Sequence, residues 1–154
     1  METTASVRKH PVHPMLVAFP IGLWIFSLVC DLIRVFGGGG PQWATVALYT
    51  LAGGIITALL AAIPGFIDLL SISDARLRRI GIVHMVINLA IVILYVVNFI
   101  LRQGSRTDSL APLILSITGV ALLLISGWLG GELVHVHGVG VAEEKTPGSG
   151  ASGT

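Results

Sequence analysis

The chain has 154 residues, of which 54% are apolar and only 11% are charged, and its net charge is +1. A soluble domain carries about a quarter charged residues, so this apolar excess is larger than one small core can bury and indicates an integral membrane protein. The small net charge and the lack of a basic face argue against nucleic acid as a partner. Because Cys30 is the single cysteine, an intrachain disulfide and a cysteine-based metal centre are excluded.

Four long apolar runs dominate the sequence. Each holds roughly 20 residues or more, enough to cross a hydrocarbon layer of about 30 Å. Backbone groups inside lipid must pair within their own segment, so the runs are predicted to be helices. Short links make successive helices antiparallel neighbours. The sequence therefore predicts an all-α, transmembrane, up-down-up-down four-helix bundle, with apolar runs at 14–36, 43–67, 80–101 and 110–131.

Basic residues predict the orientation of this bundle. Side A, the side of the N-terminus, carries six of them and side B carries three, and an excess of Lys and Arg favours the cytoplasm. We therefore expect a cytoplasmic N-terminal segment at 1–13, a transmembrane domain at 14–141 and a disordered, Gly/Ser-rich tail at 142–154. No internal repeat is evident. The basic residues of side A are Arg8, Lys9, Arg76, Arg78, Arg79 and Lys145, and those of side B are Arg34, Arg102 and Arg106.

All five histidines fall at the side-A end of the predicted bundle. His10 and His13 precede the first helix, in an HPVHP segment whose prolines favour extended backbone at both histidines. His84 lies about one turn inside the third apolar run, and its stripe includes Asn88. His135 and His137 follow the fourth run, and Asp68 ends the second.

This convergence predicts a cofactor site, because imidazole is a common ligand of metals and haem. If haem b binds, its ligands are expected from His13, His84 and His137. If a transition metal binds without haem, we expect His10, His13, His84 and His137 near one point, with Asp68 orienting a ring. His135 and His137 are two positions apart and point in opposite directions on a helix, so one metal would not take both.

Three further expectations concern packing. Asp31 and Arg34 are spaced i, i+3 and predict an ion pair on the first helix. Gly127 with Gly131, and Ala61 with Gly65, are small-residue pairs that indicate close helix contacts within the bundle. A homodimer through such a face is a second interpretation.

The motif HPVHPMLVAFPIGLW at 10–24, together with GWLGGELVHVHGVGV at 127–141 and PGFIDLL at 64–70, resembles a family of bacterial four-span predicted membrane proteins classed as a domain of unknown function. The likeness covers roughly residues 8–141, and His135 departs from it because that position is typically aromatic. The resemblance implies a bacterial inner-membrane protein, and some relatives are joined to Rieske-type iron–sulfur domains, which implies an electron-transfer partner. The family pattern carries over onto His10, His13, Pro14, Gly65, Asp68, His84, Gly130, Gly131, His137, Gly138 and Gly140.

Three functions compete at this point. The chain is a small b-type cytochrome or metal-binding redox protein, a structural or accessory subunit of a membrane complex whose histidines serve packing, or a small transporter or proton path. A single histidine near the headgroups is more often an interfacial anchor than a ligand. Transport is the weakest because four spans without inverted repeats make a small carrier. No nucleophile–base pair, phosphate loop or carboxylate pair is visible, so an enzyme is not expected.

The orientation can be tested with reporter fusions. A reporter at the C-terminus should label the cytoplasmic side, and one in the 37–42 loop should label the opposite side. Labelling of both positions on one side would contradict the four-span topology, whereas a clean exchange of sides would contradict the orientation alone.

Overall fold

The computed structural model describes residues 6–7, 10–104 and 109–136. In this part of the chain two short strands, β1 (Ser6–Val7) and β2 (His10–Pro11), pair antiparallel ahead of the first helix. Four long helices follow, each long and apolar enough to cross a membrane, which confirms the all-α transmembrane bundle. They are α1 (Val12–Phe36), α2 (Gln42–Ser71), α3 (Ala75–Gln103) and α4 (Ala111–Gly131), and a π-helical turn, Glu132–Val136, extends α4.

The helices extend beyond the apolar runs at two ends that matter for the site. His10 is extended, as expected, but α1 begins at Val12, so the expectation of extended backbone at His13 is wrong. N–H groups of the first helical turn have no intrahelical acceptor, so Pro14 is tolerated there without loss of a hydrogen bond. α3 begins at Ala75 because the Asp74 carboxylate caps it, accepting from two backbone N–H groups at 2.9 Å.

Large rings on α1 and α3 fill the centre of the bundle. Trp24 and Tyr95 stack with ring centres 4.1 Å apart and planes 5° from parallel. The Trp24 indole also donates to the Leu51 carbonyl of α2 at 3.2 Å. Each ring lies against a glycine of its neighbouring helix: a Cβ at Gly54 would overlap Trp24, and one at Gly119 would lie 2.7 Å from Tyr95. Glycine at these positions therefore lets α2 and α4 approach the rings.

A buried ion pair joins α1 to α3 near side B. Arg102 donates to both carboxylate oxygens of Asp31, at 2.8 and 2.5 Å, and the two side chains are 8% and 1% exposed. The expected pair of Asp31 with Arg34 is therefore wrong. A guanidinium from another helix can bind both carboxylate oxygens in a bidentate arrangement, which is stronger than a single hydrogen bond.

Polar side chains of α3 and α4 complete the hydrogen bonding around this ion pair. Ser116 donates to Asp31 at 3.1 Å and accepts from Arg102 at 3.1 Å. Asn98 accepts from Arg102 at 3.0 Å and donates to the Pro112 carbonyl at 3.1 Å. Since a buried charge is costly unless it is paired and hydrogen-bonded, this network explains how two ionised groups are accommodated between apolar helices.

One of the two small-residue pairs does not pack inside the bundle. Among the described residues a Cβ at Gly127 or Gly131 would meet no atom within 4 Å, so no close helix contact is seen at this pair there. Ala61 is only 2% exposed, and Gly65 lies directly beneath the His13 ring, so this second pair is in the interior. Nothing in the described residues tests a homodimer.

Removing one partner of the buried pair should destabilise the bundle strongly. Asp31→Ala or Arg102→Ala leaves a buried charge without its counter-charge, and we expect a loss of about 3–5 kcal/mol in the free energy of unfolding. The double variant Asp31→Leu with Arg102→Met should lose much less, because both charges are gone. Unfolding of the purified protein in mixed micelles with SDS measures these values. The exposed Arg79→Ala serves as control, and a single variant as stable as this control would contradict the argument.

Candidate functional site

Two of the predicted histidines meet at the side-A end of the bundle. His13 lies in the first turn of α1, and His84 lies nine residues into α3, about 13 Å along its axis. Their ring centres are 6.5 Å apart, with planes at 87°. Both side chains are half-buried. The structure thus brings together two imidazoles that are far apart in sequence and come from different helices.

His13 is held by α2. Its Nδ1 donates to the Ala61 carbonyl at 2.8 Å, so the proton of a neutral ring is on Nδ1. The ring covers Gly65, where a Cβ would lie 2.7 Å from two ring atoms. Both contacts fix the direction of the ring, and they leave Nε2 as the nitrogen with a lone pair.

His84 is held by α4 in a similar way. Its Nδ1 donates to the Ser126 carbonyl at 3.0 Å, and the ring covers Gly130, where a Cβ would lie 3.0 Å away. The Nε2 of His84 lies 3.1 Å from the amide nitrogen of Asn88, one turn along α3. The Asn88 amide nitrogen also donates to the His84 carbonyl at 2.8 Å and to the Ser126 hydroxyl at 2.7 Å.

The pattern of hydrogen bonds suits imidazoles that act as ligands. Histidines that bind metals commonly donate their other ring N–H to a carbonyl or carboxylate, which fixes the tautomer and the ring orientation. Both His13 and His84 make this bond to a backbone carbonyl. Each therefore presents Nε2 in the form that can bind a metal ion or haem iron.

Asp68 lies on α2 at the same end of the bundle, three positions beyond Gly65. It is 8% exposed, and its Oδ1 has no hydrogen-bond partner among the described residues. An unpaired buried carboxylate oxygen is costly, so this oxygen is a feature that the fold alone does not explain. Within the described residues no hydrogen bond joins Asp68 to His13 or His84, so its role in orienting a ring stays a prediction.

The remaining predicted ligands are not described. His137 lies outside the described residues, and the side chains of His10 and His135 do too. Among the described residues no group of three or more His, Cys, Asp or Glu side chains could hold a metal ion. The expected site with four histidines depends on His10 and His137 and stays a prediction.

The sequence predicts both histidines and the Asn88 stripe but not the carbonyls of α2 and α4 that hold the rings. The Ala61 and Ser126 carbonyls carry no side-chain signal, since any residue supplies a backbone carbonyl. Gly65 belongs to the small-residue pair with Ala61, whereas Gly130 stands only in the family motif. Each glycine follows the residue that supplies the carbonyl by four positions, and this repeated spacing is the sequence feature that could have indicated both supports.

The bundle also has a cavity of about 230 Å³ at the opposite end, lined in part by Arg34, Thr45, Arg102 and Ser109. Arg102 is already bound to Asp31, so its charge is neutralised within the protein. The cavity lies far from the histidines, so we assign no function to it.

A methyl group added beneath either histidine should disturb the site. Gly65→Ala and Gly130→Ala place a Cβ against the His13 and His84 rings, and overpacking of this kind costs about 1–3 kcal/mol. Gly127→Ala, where a Cβ meets nothing within 4 Å, is the matched control on α4 and should change stability little. Unfolding in mixed micelles measures all three, and a control as destabilised as Gly65→Ala would contradict the packing argument.

Comparison with known proteins agrees with this architecture. Residues 9–143 match the family model described as a predicted membrane protein, DUF2231, so the match includes both paired histidines, their glycines and Asp68. Curated proteins and solved structures give no significant match. Because the family model spans most of the sequence, the chain belongs to the DUF2231 family of predicted membrane proteins.

Proposed function

We propose that this integral membrane protein binds a redox-active metal centre, haem b or a transition-metal ion, between His13 and His84 and uses it for electron transfer. The observation that carries the proposal is the pair itself: two imidazoles from different helices, 6.5 Å apart, each with Nδ1 bonded to a backbone carbonyl. Haem iron with two protein ligands takes them from opposite faces, so they must come from separate segments.

The distance between the rings fits a metal that lies between them. With metal–nitrogen bonds of about 2.0 Å, two opposed imidazoles have ring centres roughly 6 Å apart. The 6.5 Å between the ring centres of His13 and His84 is close to this value, and ligation requires both Nε2 atoms to turn toward the metal. Two ligands suffice for haem iron, whereas a closed zinc-type site needs four. Haem b is therefore the better fit to the pair alone, and a bare metal ion would need further ligands such as His10 or His137.

Asn88 does not prevent binding at His84. Its amide nitrogen carries two hydrogens and has three acceptors nearby, of which His84 Nε2, at 3.1 Å, is the most distant. If Nε2 turns to a metal, the two hydrogens keep the His84 carbonyl and the Ser126 hydroxyl. The exchange leaves no unpaired amide hydrogen behind.

A structural or accessory subunit without cofactor is the second candidate. In the structure both ring nitrogens of His84 are hydrogen-bonded, to Ser126 and Asn88, which is what a purely structural histidine requires. Under this reading the histidines join α1 to α2 and α3 to α4. A transporter or proton path is a weaker candidate, because none of the described contacts calls for movement of a proton.

The proposal includes a location and a partner. The six-to-three excess of basic residues on side A supports cytoplasmic termini, and the family resemblance supports a bacterial inner membrane. The histidine pair then lies near the cytoplasmic face. An iron–sulfur protein that docks on this face is the partner that the resemblance favours.

An absorption spectrum with metal analysis of the purified full-length protein tests the proposal. A Soret band indicates haem b, and a colourless protein with stoichiometric metal indicates a metal site. His84→Ala should abolish either signal, whereas His135→Ala should retain it. A wild-type protein that binds neither haem nor metal would leave the accessory subunit as the function, and equal loss in both variants would mean that the ligands are wrongly assigned.

A further inference from the structure

Helices α1 and α3 carry corresponding residues at the same spacing. His13 is followed eleven positions later by the Trp24 ring, and His84 is followed eleven positions later by the Tyr95 ring. The same shift of 71 positions relates three further pairs of interior residues. These pairs are Pro20 with Ile91, Ser27 with Asn98, and Asp31 with Arg102.

Helices α2 and α4 correspond in the same way, with a shift of 65 positions. Gly54 and Gly65 in α2 match Gly119 and Gly130 in α4. The positions that supply carbonyl acceptors match as well: Ala47 with Pro112, and Ala61 with Ser126.

Corresponding residues make corresponding contacts at the level of the histidines. In each half an imidazole Nδ1 donates to the carbonyl four positions before a glycine, and the ring covers that glycine. The first half does this with His13, Ala61 and Gly65, and the second with His84, Ser126 and Gly130.

The correspondence continues along the bundle. Trp24 covers Gly54 as Tyr95 covers Gly119. Nearer side B, Ser27 donates to the Ala47 carbonyl at 2.8 Å, and Asn98 donates to the Pro112 carbonyl at 3.1 Å. At the last level the two corresponding residues, Asp31 and Arg102, bind each other.

Helical periodicity alone does not produce this agreement. Spacings of 11, 14 and 18 positions keep residues on one face of any helix, so a regular stripe in α1 or α3 is unremarkable by itself. Periodicity does not require the same kind of residue to bind the carbonyl at the same distance from a glycine of the following helix. Contacts at three successive levels obey one pair of shifts, which two unrelated hairpins would not share.

We infer that the bundle is a tandem duplication of one helical hairpin, and that His13 and His84 are its two equivalent imidazoles, which bind a single metal centre on the axis that relates the copies. α1 and α3 run in the same direction, so this axis lies along the bundle, normal to the membrane. The ligand half of the inference rests on the proposed function. The duplication rests on the contacts alone.

Equivalence narrows the choice of ligands. A centre on the axis meets both Nε2 atoms, so His13 and His84 should both be required for its binding. His10 corresponds to Gly81, which has no ring, and Asp68 corresponds to Leu133. His10 and Asp68 therefore have no equivalent ligand in the second half. Because His13 and His84 already supply two imidazoles, His137 is not needed as a ligand.

The first test needs no cofactor. Nitrogen NMR of ¹⁵N-histidine-labelled full-length protein in nanodiscs reports which ring nitrogen carries the proton. We expect His13 and His84, assigned by the loss of their signals in His13→Ala and His84→Ala, to share the Nδ1–H tautomer, since both donate from Nδ1 to a carbonyl. An Nε2–H tautomer at either histidine would overturn their equivalence.

The second test titrates hemin, and separately Co²⁺, into the apoprotein. Loss of a hydrogen-bonding neighbour of a ligand already weakens metal binding 10- to 100-fold, so His13→Ala and His84→Ala should each weaken it by more than about 100-fold. His10→Ala and His137→Ala, each retaining His13 and His84, should bind hemin as tightly as wild type. For hemin, each axial variant should also convert a low-spin spectrum to a high-spin one.

The outcomes separate the two proposals. A strong loss in His137→Ala with little loss in His13→Ala would overturn the equivalence while retaining a metal-binding function. Tight Co²⁺ binding without hemin binding would identify a metal ion rather than haem at the same pair. No binding of either probe would overturn the proposed function and the shared ligand, and the NMR result would then decide whether the two halves are equivalent.

Discussion

The contact of a large ring with a glycine on the next helix is the constraint on which the bundle depends. Four such contacts lie in the interior, two at the level of the histidines and two at the level of Trp24 and Tyr95. Each puts an imidazole or aromatic ring where a Cβ would otherwise stand. Lipid supplies little hydrophobic drive for helices to associate, so close packing must come from van der Waals contact and interhelical hydrogen bonds. The glycines permit the first, and the Trp24 and histidine N–H groups provide the second.

The ion pair adds specificity to this packing. Asp31 and Arg102 occupy corresponding positions of α1 and α3, so two identical hairpins would place like charges opposite one another. Opposite charges make the pairing of the first hairpin with the second more favourable than the pairing of either with itself. The surrounding Asn98 and Ser116 satisfy the remaining hydrogen bonds, which a buried pair needs if it is not to destabilise the fold.

Much of the fold followed from the sequence, because lipid restricts a spanning chain to a few solutions. The lengths of the apolar runs predict the four helices. Placing the histidines on this up-down topology predicts that His13 and His84 lie close together. The partner of Asp31 did not follow from spacing, since nearby Arg34 looks as suitable as distant Arg102 until the helices are packed. The helical backbone at His13 was not expected, because a residue before proline usually favours extended backbone. Proline is tolerated in the first turn of a helix, and this tolerance decides the conformation here. The repeat escaped notice because few corresponding positions carry the same residue: Trp stands for Tyr, Ser for Asn, and Asp for Arg.

The parallel direction of the two hairpins has a consequence for how the protein meets its surroundings. Inverted repeats present one site alternately to both compartments, because exchanging the two halves exchanges inside with outside. In this bundle the two halves have the same orientation in the membrane, so exchanging them does not exchange its two faces. The imidazoles therefore stay at one face and the ion pair at the other. From His13 to Asp31, 18 residues of helix span about 27 Å, close to the hydrocarbon thickness. A metal centre held by the histidines would exchange electrons with carriers on a single side, and the opposite leaflet would act as insulation.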